Sequence, residues 1–524
     1  MTMRSRREFL ADVGRGALVA TVGSQLALDM GFASAIGGEN ESLDRLTFGA
    51  LEPLVGLLQE TPVDHLMSVL VGKLNEGAAL GDLVAAAALA NARTFGGEDY
   101  VGFHTMMALA PAYHMSKELP ENRRALPVLK VLYRNTNRIQ EFGGPSKEVL
   151  HKVDPAARLP EGRNGGEALR EAVRAKDLDA AERTFAALSR GKPDDAFNDL
   201  LYAVQDNTEV HRTVLPYRSW DLLSLIGFEQ AGTLLRQSVR YCVKSERESQ
   251  HTAEMDKPRV VLPRLMEEYK LVARSEFGTR APDDAWVDRT SKAIFEATPE
   301  QAAEIAAAAL AEGFSPASIG EAIALAANQL VLRDAGRVGN QIQPGKPLGS
   351  VHGDSIGVHA CDSANAWRNM AKVSNARNTA ACLILGAFQV AHDRISRGGD
   401  FLNKTPHPRP EDLENVRATD PDTLLQELRD SIRANDQFRA AAVVHRIGES
   451  GGDAAKVFPL LLGFAVSEDG ALHAEKYYRT VREEFASTRP AFRWRQLVAL
   501  ARVTASEHGK TAPGYDEACS LLKV

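Results

Sequence analysis

Aromatic residues make up only 6% of this 524-residue chain, and no stretch alternates apolar with polar residues or concentrates β-branched ones. Strands need one pattern or the other, so a sheet protein is excluded. The four cysteines (Cys242, Cys361, Cys382 and Cys519) make no Cys-x-x-Cys pair and no haem-attachment Cys-x-x-Cys-His. They are too sparse for a disulfide-stapled scaffold. Neither sign of charge dominates: 62 basic against 69 acidic residues leave a formal net charge of −7, with no basic stripe. That removes the electrostatic footprint of a nucleic-acid binder. Beyond the N-terminal leader no apolar run reaches membrane-spanning length. There is no His-Glu-x-x-His, no Glu-x-x-His pair set and no P-loop lysine, so the common zinc-hydrolase and nucleotide signatures are missing. What remains, 44% apolar and 25% charged, is the composition of an ordinary soluble globular protein.

The informative feature is that the chain reads as though written twice. Glu98-Asp99-Tyr100-Val101-Gly102-Phe103-His104 is echoed by Gly353-Asp354-Ser355-Ile356-Gly357-Val358-His359. Asp, Gly, an apolar residue and His recur at one spacing. Upstream, Glu60-Thr61-Pro62 matches Ala297-Thr298-Pro299, Leu74 to Gly77 matches Leu310 to Gly313, and Asn91 matches Asn328. Downstream, Ala168 to Asp177 resembles Glu427 to Asp436. Ala203-Val204 before His211 matches Ala465-Val466 before His473, and Arg236-Gln237 matches Arg495-Gln496. Ser249-Gln250-His251 aligns with Ser506-Glu507-His508 across a gap. The blocks keep their order, at a period far longer than that of a solenoid. The expectation is a leader over 1–35 and two helical halves, 36–275 and 276–524, related by a pseudo-twofold axis.

The leader follows from Ser5-Arg6-Arg7-Glu8-Phe9-Leu10, a twin-arginine signature, then a mildly apolar stretch and Ala33-Ser34-Ala35 as a small-x-small cleavage site. This predicts handling by the twin-arginine export machinery, a periplasmic or otherwise extracytoplasmic location, and no stable membrane insertion after cleavage. Proteins exported this way fold first, often around a cofactor.

The body reads as all-α. Leu80 to Arg93, Gly166 to Ser189, Pro299 to Ala311 and Ser318 to Leu332 are rich in Ala, Leu, Glu and Arg, with apolar residues three or four apart. Asp194-Asp195 and Asp420 supply helix-start signals, and Asp177 splits Gly166 to Ser189 in two. Gly and Pro gather in linkers such as Gln343 to Pro347 and Lys404 to Pro410. Such helix pairs build a bundle or toroid.

The duplication sorts the histidines. His104, His211, His359 and His473 occupy equivalent positions, two per half, each near the start of a helical pattern. Imidazole is a common metal ligand and a general base near neutral pH. The four histidines, with Asp99 and Asp354, are candidate ligands for a transition metal (iron, copper, manganese or zinc). They make either one shared site or two. The plain alternative is that the histidines only cap helices. The second copy is the more polar. Asp362, Ser363, Asn365 and Arg368 stand where the first has Met107, Ala108, Ala110 and Tyr113. A pocket leaning on that copy would be lined by His352, Asp354, His359, Asp362, Asn365 and Arg368. His352, seven residues before His359, would share its face if that stretch is helical. His104, His359, Asp362 and Arg368 are the candidate catalytic set, with a histidine as base and Arg368 stabilising an oxyanion.

The segments Gly102-Phe103-His104 through Tyr113 and Val358-His359 through Arg368 resemble the His-bearing segments of the questin oxidase-like family. The resemblance covers about 60 residues in short pieces. It implies an all-helical fold, NADPH-dependent flavin-free ring opening of polyketide quinones, and a pocket role for His104 and His359, then His211 and His473. This chain departs from the family in its export leader, which separates it from the NADPH pool. The expected function is an exported oxidoreductase-like enzyme acting on a small organic substrate, aromatic or not. The alternative is a non-catalytic exported protein that binds a ligand or partner through a helical body with structural histidines.

Overall fold

The computed structural model of the protein describes residues 44–157, 164–248, 256–396 and 401–524. The leader at 1–35 and the Ser249-Gln250-His251 block lie outside the described residues. Among the described residues there are 23 α-helices and no strand, only isolated bridges. The all-α expectation is correct. No helix among them is long and apolar enough to cross a membrane.

Eleven helices precede residue 270: α1 (Glu52–Glu60), α2 (Val63–Asn75), α3 (Leu80–Phe95), α4 (Tyr100–Ser116), α5 (Leu126–Phe142), α6 (Gly165–Arg174), α7 (Leu178–Leu188), α8 (Pro193–Val204), α9 (Val210–Ile226), α10 (Ala231–Arg247) and α11 (Pro258–Glu268). The rest of the chain forms α12 (Asp284–Glu296), α13 (Pro299–Ala311), α14 (Pro316–Leu332), α15 (Ile356–Val373), α16 (Ala376–Ser396), the short α17 (Pro410–Glu414), α18 (Pro421–Arg433), α19 (Gln437–Glu449), α20 (Ala454–Ser467), α21 (His473–Ser487), α22 (Trp494–Glu507) and α23 (Tyr515–Leu522). The boundary expected at 275/276 falls in the non-helical stretch between α11 and α12.

Local chemistry sets these boundaries. Asp177 accepts from the Ala180 amide and so opens α7, which is why Gly166 to Ser189 divides there. Thr298 and Gln301 form a reciprocal capping box with Pro299 in the first turn of α13. Asp420 caps α18. α4 and α14 are buried around most of their circumference, which places them at the centre rather than the rim.

The two parts of the chain interlock. α9 packs on α15, and α21 packs on α4. A buried ion pair pins this exchange. Lys130 on α5 meets Glu475 on α21 at 2.5 Å, both essentially without solvent contact. Its ammonium also donates to the Ala465 and Glu468 carbonyls at 2.8 and 2.6 Å. Removing one partner of such a pair strands the other charge in the core, which costs about 3–5 kcal/mol, whereas apolar replacement of both is nearly neutral. Lys130→Met should therefore lower unfolding free energy by about that amount in a urea titration, and Lys130→Met/Glu475→Leu should recover most of it.

Candidate functional site

Four helices close a ring: α4 against α9, α9 against α15, α15 against α21, and α21 back against α4. Each carries one matched histidine near its N-terminus: His104 on α4, His211 on α9, His359 on α15 and His473 on α21. Glycines let α4 and α15 approach their outer neighbours α3 and α14. A Cβ on Gly102 would lie 2.5 Å from the Phe95 ring, and one on Gly357 would lie 2.7 Å from the Val331 amide nitrogen.

The four imidazoles meet in the same cyclic order. Ring centres are 4.8 Å apart for His104 and His211, 6.0 Å for His211 and His359, 5.4 Å for His359 and His473, and 5.3 Å for His473 and His104. The Nε2 atoms of His359 and His473 lie 3.3 Å apart. For comparison, imidazoles held about 2.1 Å from one ion at tetrahedral angles have neighbouring nitrogens about 3.4 Å apart and ring centres about 5 Å apart. The observed rings form a slightly open version of that arrangement. As they stand, no three His, Cys, Asp or Glu among the described residues are gathered closely enough to hold a metal ion.

The hydrogen bonds decide which ring nitrogen faces inward. His104 Nδ1 is 2.7 Å from the Tyr100 carbonyl, His211 Nδ1 is 2.6 Å from the Glu209 carboxylate, and His473 Nδ1 is 3.1 Å from the Ala471 carbonyl. All three partners are acceptors, so each Nδ1 bears the hydrogen and donates it, and each Nε2 in the neutral ring is a bare lone pair. His104 Nε2 and His211 Nε2 are buried with no hydrogen-bond partner.

Two of the rings are also held uncharged. Burial pushes the His104 and His473 imidazoles well below the usual histidine range, reinforced by the Lys476 ammonium and the neighbouring histidines. The positive ends of four helix dipoles act in the same direction. Burial alone would raise the Glu209 carboxyl. His211 beside it, with the His211 and Arg212 amides, instead brings it down to about 2. The Tyr241 hydroxyl donates to Glu209 at 2.9 Å.

The other expected site residues are placed differently. Asp99 caps α4, accepting from the Gly102 amide at 2.7 Å, and is clamped by Arg138 at 2.6 and 2.9 Å. Asp354 is clamped by Arg337 and by Lys346, the latter at 2.7 Å. Both carboxylates are taken up by cations and belong to the scaffold, not to a ligand set. Arg368 is tied to Glu484 and to the Ser487 carbonyl at 3.2 Å, and Asn365 donates to the same Glu484 at 2.9 Å. These two are struts between α15 and α21. Asp362 accepts from the Thr480 hydroxyl at 2.8 Å, and burial raises its carboxyl. Ser363 accepts from Gln389 at 2.9 Å. None of these second-copy polar residues faces solvent. His352 precedes the Ser355 cap of α15 and so shares no helical face with His359.

Several important residues carried no sequence signal of their own. Glu209 stands two before His211, and its counterpart two before His473 is Ala471, whose carbonyl does the same work. Ala471 and Leu472 both take positive φ, +46° and +68°, a conformation non-glycine residues rarely adopt. That strain turns the carbonyl toward His473. Lys476, one helical turn past His473, is 3% exposed, and burial lowers its ammonium to about 8. Arg218 is 1% exposed; its Nη2 donates to Thr480 at 3.3 Å and its Nη1 lies 3.8 Å from the Asp221 carboxylate. Tyr100 is 59% exposed, with its ring centre 4.4 Å from that of His104 and 5.7 Å from that of His211. The imidazole cluster therefore lies one aromatic ring below solvent. Comparison with known proteins returned no matching family model, no matching curated protein and no matching solved structure.

The depressed histidines make a linkage prediction for metal-free protein. Unfolded histidine titrates near 6.5, above the folded values of His104 and His473. The unfolded chain therefore takes up protons first as pH falls. Their contribution to stability is fully present above 6.5 and is lost as pH drops below it. Glu507, pushed up to about 7 by burial, acts with the opposite sign, but equally in wild type and variant. The urea midpoint should fall between about pH 7.5 and pH 5.5, and fall less in His104→Gln/His473→Gln. Equal slopes in the two proteins would contradict the neutral-imidazole assignment.

Proposed function

We propose that His104, His211, His359 and His473 form a single tetra-histidine transition-metal centre in an exported, oxidoreductase-like enzyme that acts on a small organic substrate. One observation carries the reading. The Nδ1 hydrogens of His104, His211 and His473 are committed outward to Tyr100, Glu209 and Ala471, so their Nε2 lone pairs converge in a buried space where only His359 Nε2, 3.3 Å from His473 Nε2, is placed to donate. Acceptors facing one another need an electrophile. An anion or a neutral apolar ligand leaves them unsatisfied, and protonation is opposed by burial and the helix dipoles. Histidine ligation with the second nitrogen anchored to a carbonyl or carboxylate is the usual construction of a metal site. Imidazole suits iron, copper and zinc, and manganese less well. When bound, such an ion supplies Lewis acidity or, for the redox metals, electron transfer.

The chain's own residues divide the remaining work. Glu209 orients His211 and makes its Nε2 a stronger donor to the ion, while Tyr241 holds Glu209 in place. Lys476, its ammonium lowered toward neutrality, takes the oxyanion-stabilising and proton-donating part first expected of Arg368. Arg218 reinforces it from α9. Tyr100 covers the entrance, so substrate enters by displacing that ring. The oxidative chemistry implied by the questin oxidase-like resemblance is retained as a class, with an extracytoplasmic reductant or oxidant in place of NADPH. The proposal includes the twofold relation between halves. His104 and His359 stand on one diagonal of the ring and His211 and His473 on the other, the alternation that an axis through the centre requires.

Metal analysis tests this on protein purified from an exporting host without added chelator. About one metal ion per chain is expected, at least tenfold depleted in His104→Ala and in His473→Ala. Asp99→Asn and Arg368→Gln should retain it where they fold. Glu209→Gln should keep the site but weaken metal affinity by about 10–100-fold. Wild-type protein free of metal, or metal undiminished in both histidine variants, would defeat the reading.

A further inference from the structure

A second feature lies outside the imidazole ring. A cavity of about 320 Å³ opens at the N-terminus of α15, lined among others by Asp334, Arg337, His352, Asp354, Phe401 and Lys404. Ser355 and Ile356, which begin the 18-residue α15, also line it. The volume is in the range of small-molecule sites.

Its charge balance is specific. Asp354 is doubly neutralised by Arg337 and Lys346. Asp334 accepts from the Gly336 amide at 2.8 Å, and burial raises its carboxyl. Lys404 has no carboxylate partner among the described residues; its ammonium sits 5.1 Å from the centre of the Phe401 ring. Arg337 and Lys404 line the cavity with Asp354 and Asp334, and Lys346, outside the lining, takes up Asp354 a second time, so Lys404 and the positive end of α15 are left for a ligand. His352 is only 6% exposed, and its Nε2 has no hydrogen-bond partner. A buried polar atom left in that state needs an occupant. Phe401, Val338 and Ile356 supply apolar wall beside these groups.

We infer that this cavity is a binding site for a small organic carboxylate, its charge held by Lys404 and the α15 N-terminus, its second polar contact made to His352, and its apolar body laid against Phe401 and Ile356. The site borders the imidazole ring. Gly353 sits between the lining residues His352 and Asp354; a Cβ there would fall 2.2 Å from His473 Cβ, and its amide donates to Glu507 at 2.8 Å. Occupancy does not depend on the metal reading, so it is tested without metal.

The test is calorimetric titration of metal-free full-length protein with benzoate, benzamide and sulfate. Benzoate should bind at least tenfold more tightly than benzamide, which has the same shape without the charge, and more tightly than sulfate. Lys404→Gln, a half-buried position that tolerates the change, should weaken benzoate at least tenfold. His352→Gln should weaken it severalfold. Lys476→Met should leave it unchanged, because that lysine belongs to the imidazole site. No benzoate binding, benzamide as tight as benzoate, or sulfate tighter than either would overturn the proposal. So would loss of binding in Lys476→Met with Lys404→Gln unaffected, which would place the anion at the histidines instead.

Discussion

Lone pairs that face one another in a dry interior are the constraint around which this molecule is arranged. A buried acceptor without a donor costs about 1–3 kcal/mol, and at least His104 and His211 present one each. Nothing local relieves that cost. It is carried by the apolar packing of α4, α9, α15 and α21, which form one continuous core with their neighbours. Four helix N-termini converging on one point are equally unusual. Each presents partial positive charge, and together they would repel were the groups at the centre also cationic. Neutral imidazoles remove the conflict, and neutral imidazole is the form that ligates.

The two parts of the chain orient their histidines by different means. Glu209 is a charged acceptor whose carboxylate also gathers two α9 amides and the Tyr241 hydroxyl. Ala471 is a neutral carbonyl brought into place by two consecutive left-handed residues. A carboxylate partner makes an imidazole a stronger donor than a carbonyl does, so in the proposed centre His211 and His473 would be unequal ligands. The weaker, strained corner is also the one that abuts Gly353 and the carboxylate cavity. The corner beneath Tyr100 is the firmer one. A molecule reaching the centre from the Gly353 side meets the histidine whose position is held at the cost of strain.

Much of this was legible before the fold was seen, for stated reasons. Helices announce themselves by period and caps: Asp177 and Asp420 cap where their spacing said they would, and Asp194-Asp195 fall in the first turn of α8 rather than at its cap. The four histidines were selected by recurrence alone, and they are the four that meet. What recurrence could not separate was ligand from scaffold. Asp99 and Asp354 recur as faithfully as the histidines, but for the sake of Arg138 and Arg337, whose arrival from α5 and from the loop after α14 is a tertiary fact. Arg368 was read as an oxyanion partner because nothing in the sequence places Glu484 beside it. Lys476 and Arg218 were invisible for the converse reason: a lysine or arginine in a helical run reads as a solvated face until its neighbours are known. Glu209 left half a signal, since its counterpart is a backbone carbonyl and not a side chain.

Charge balance links the two proposed sites. Around the imidazoles stand Lys476, Arg218 and four helix N-termini, against Glu209, Asp362 and Asp221, the last 3.8 Å from Arg218. Asp362 is itself inclined by burial toward its neutral form. A bound cation adds to the positive side, and only an anion entering with it restores neutrality at low dielectric, where an uncompensated charge is expensive. A neutral substrate leaves the surplus in place. The field that keeps the histidines unprotonated therefore also selects what can approach them, and the carboxylate-sized cavity beyond Gly353 carries the same sign of selection at the distance of one backbone thickness.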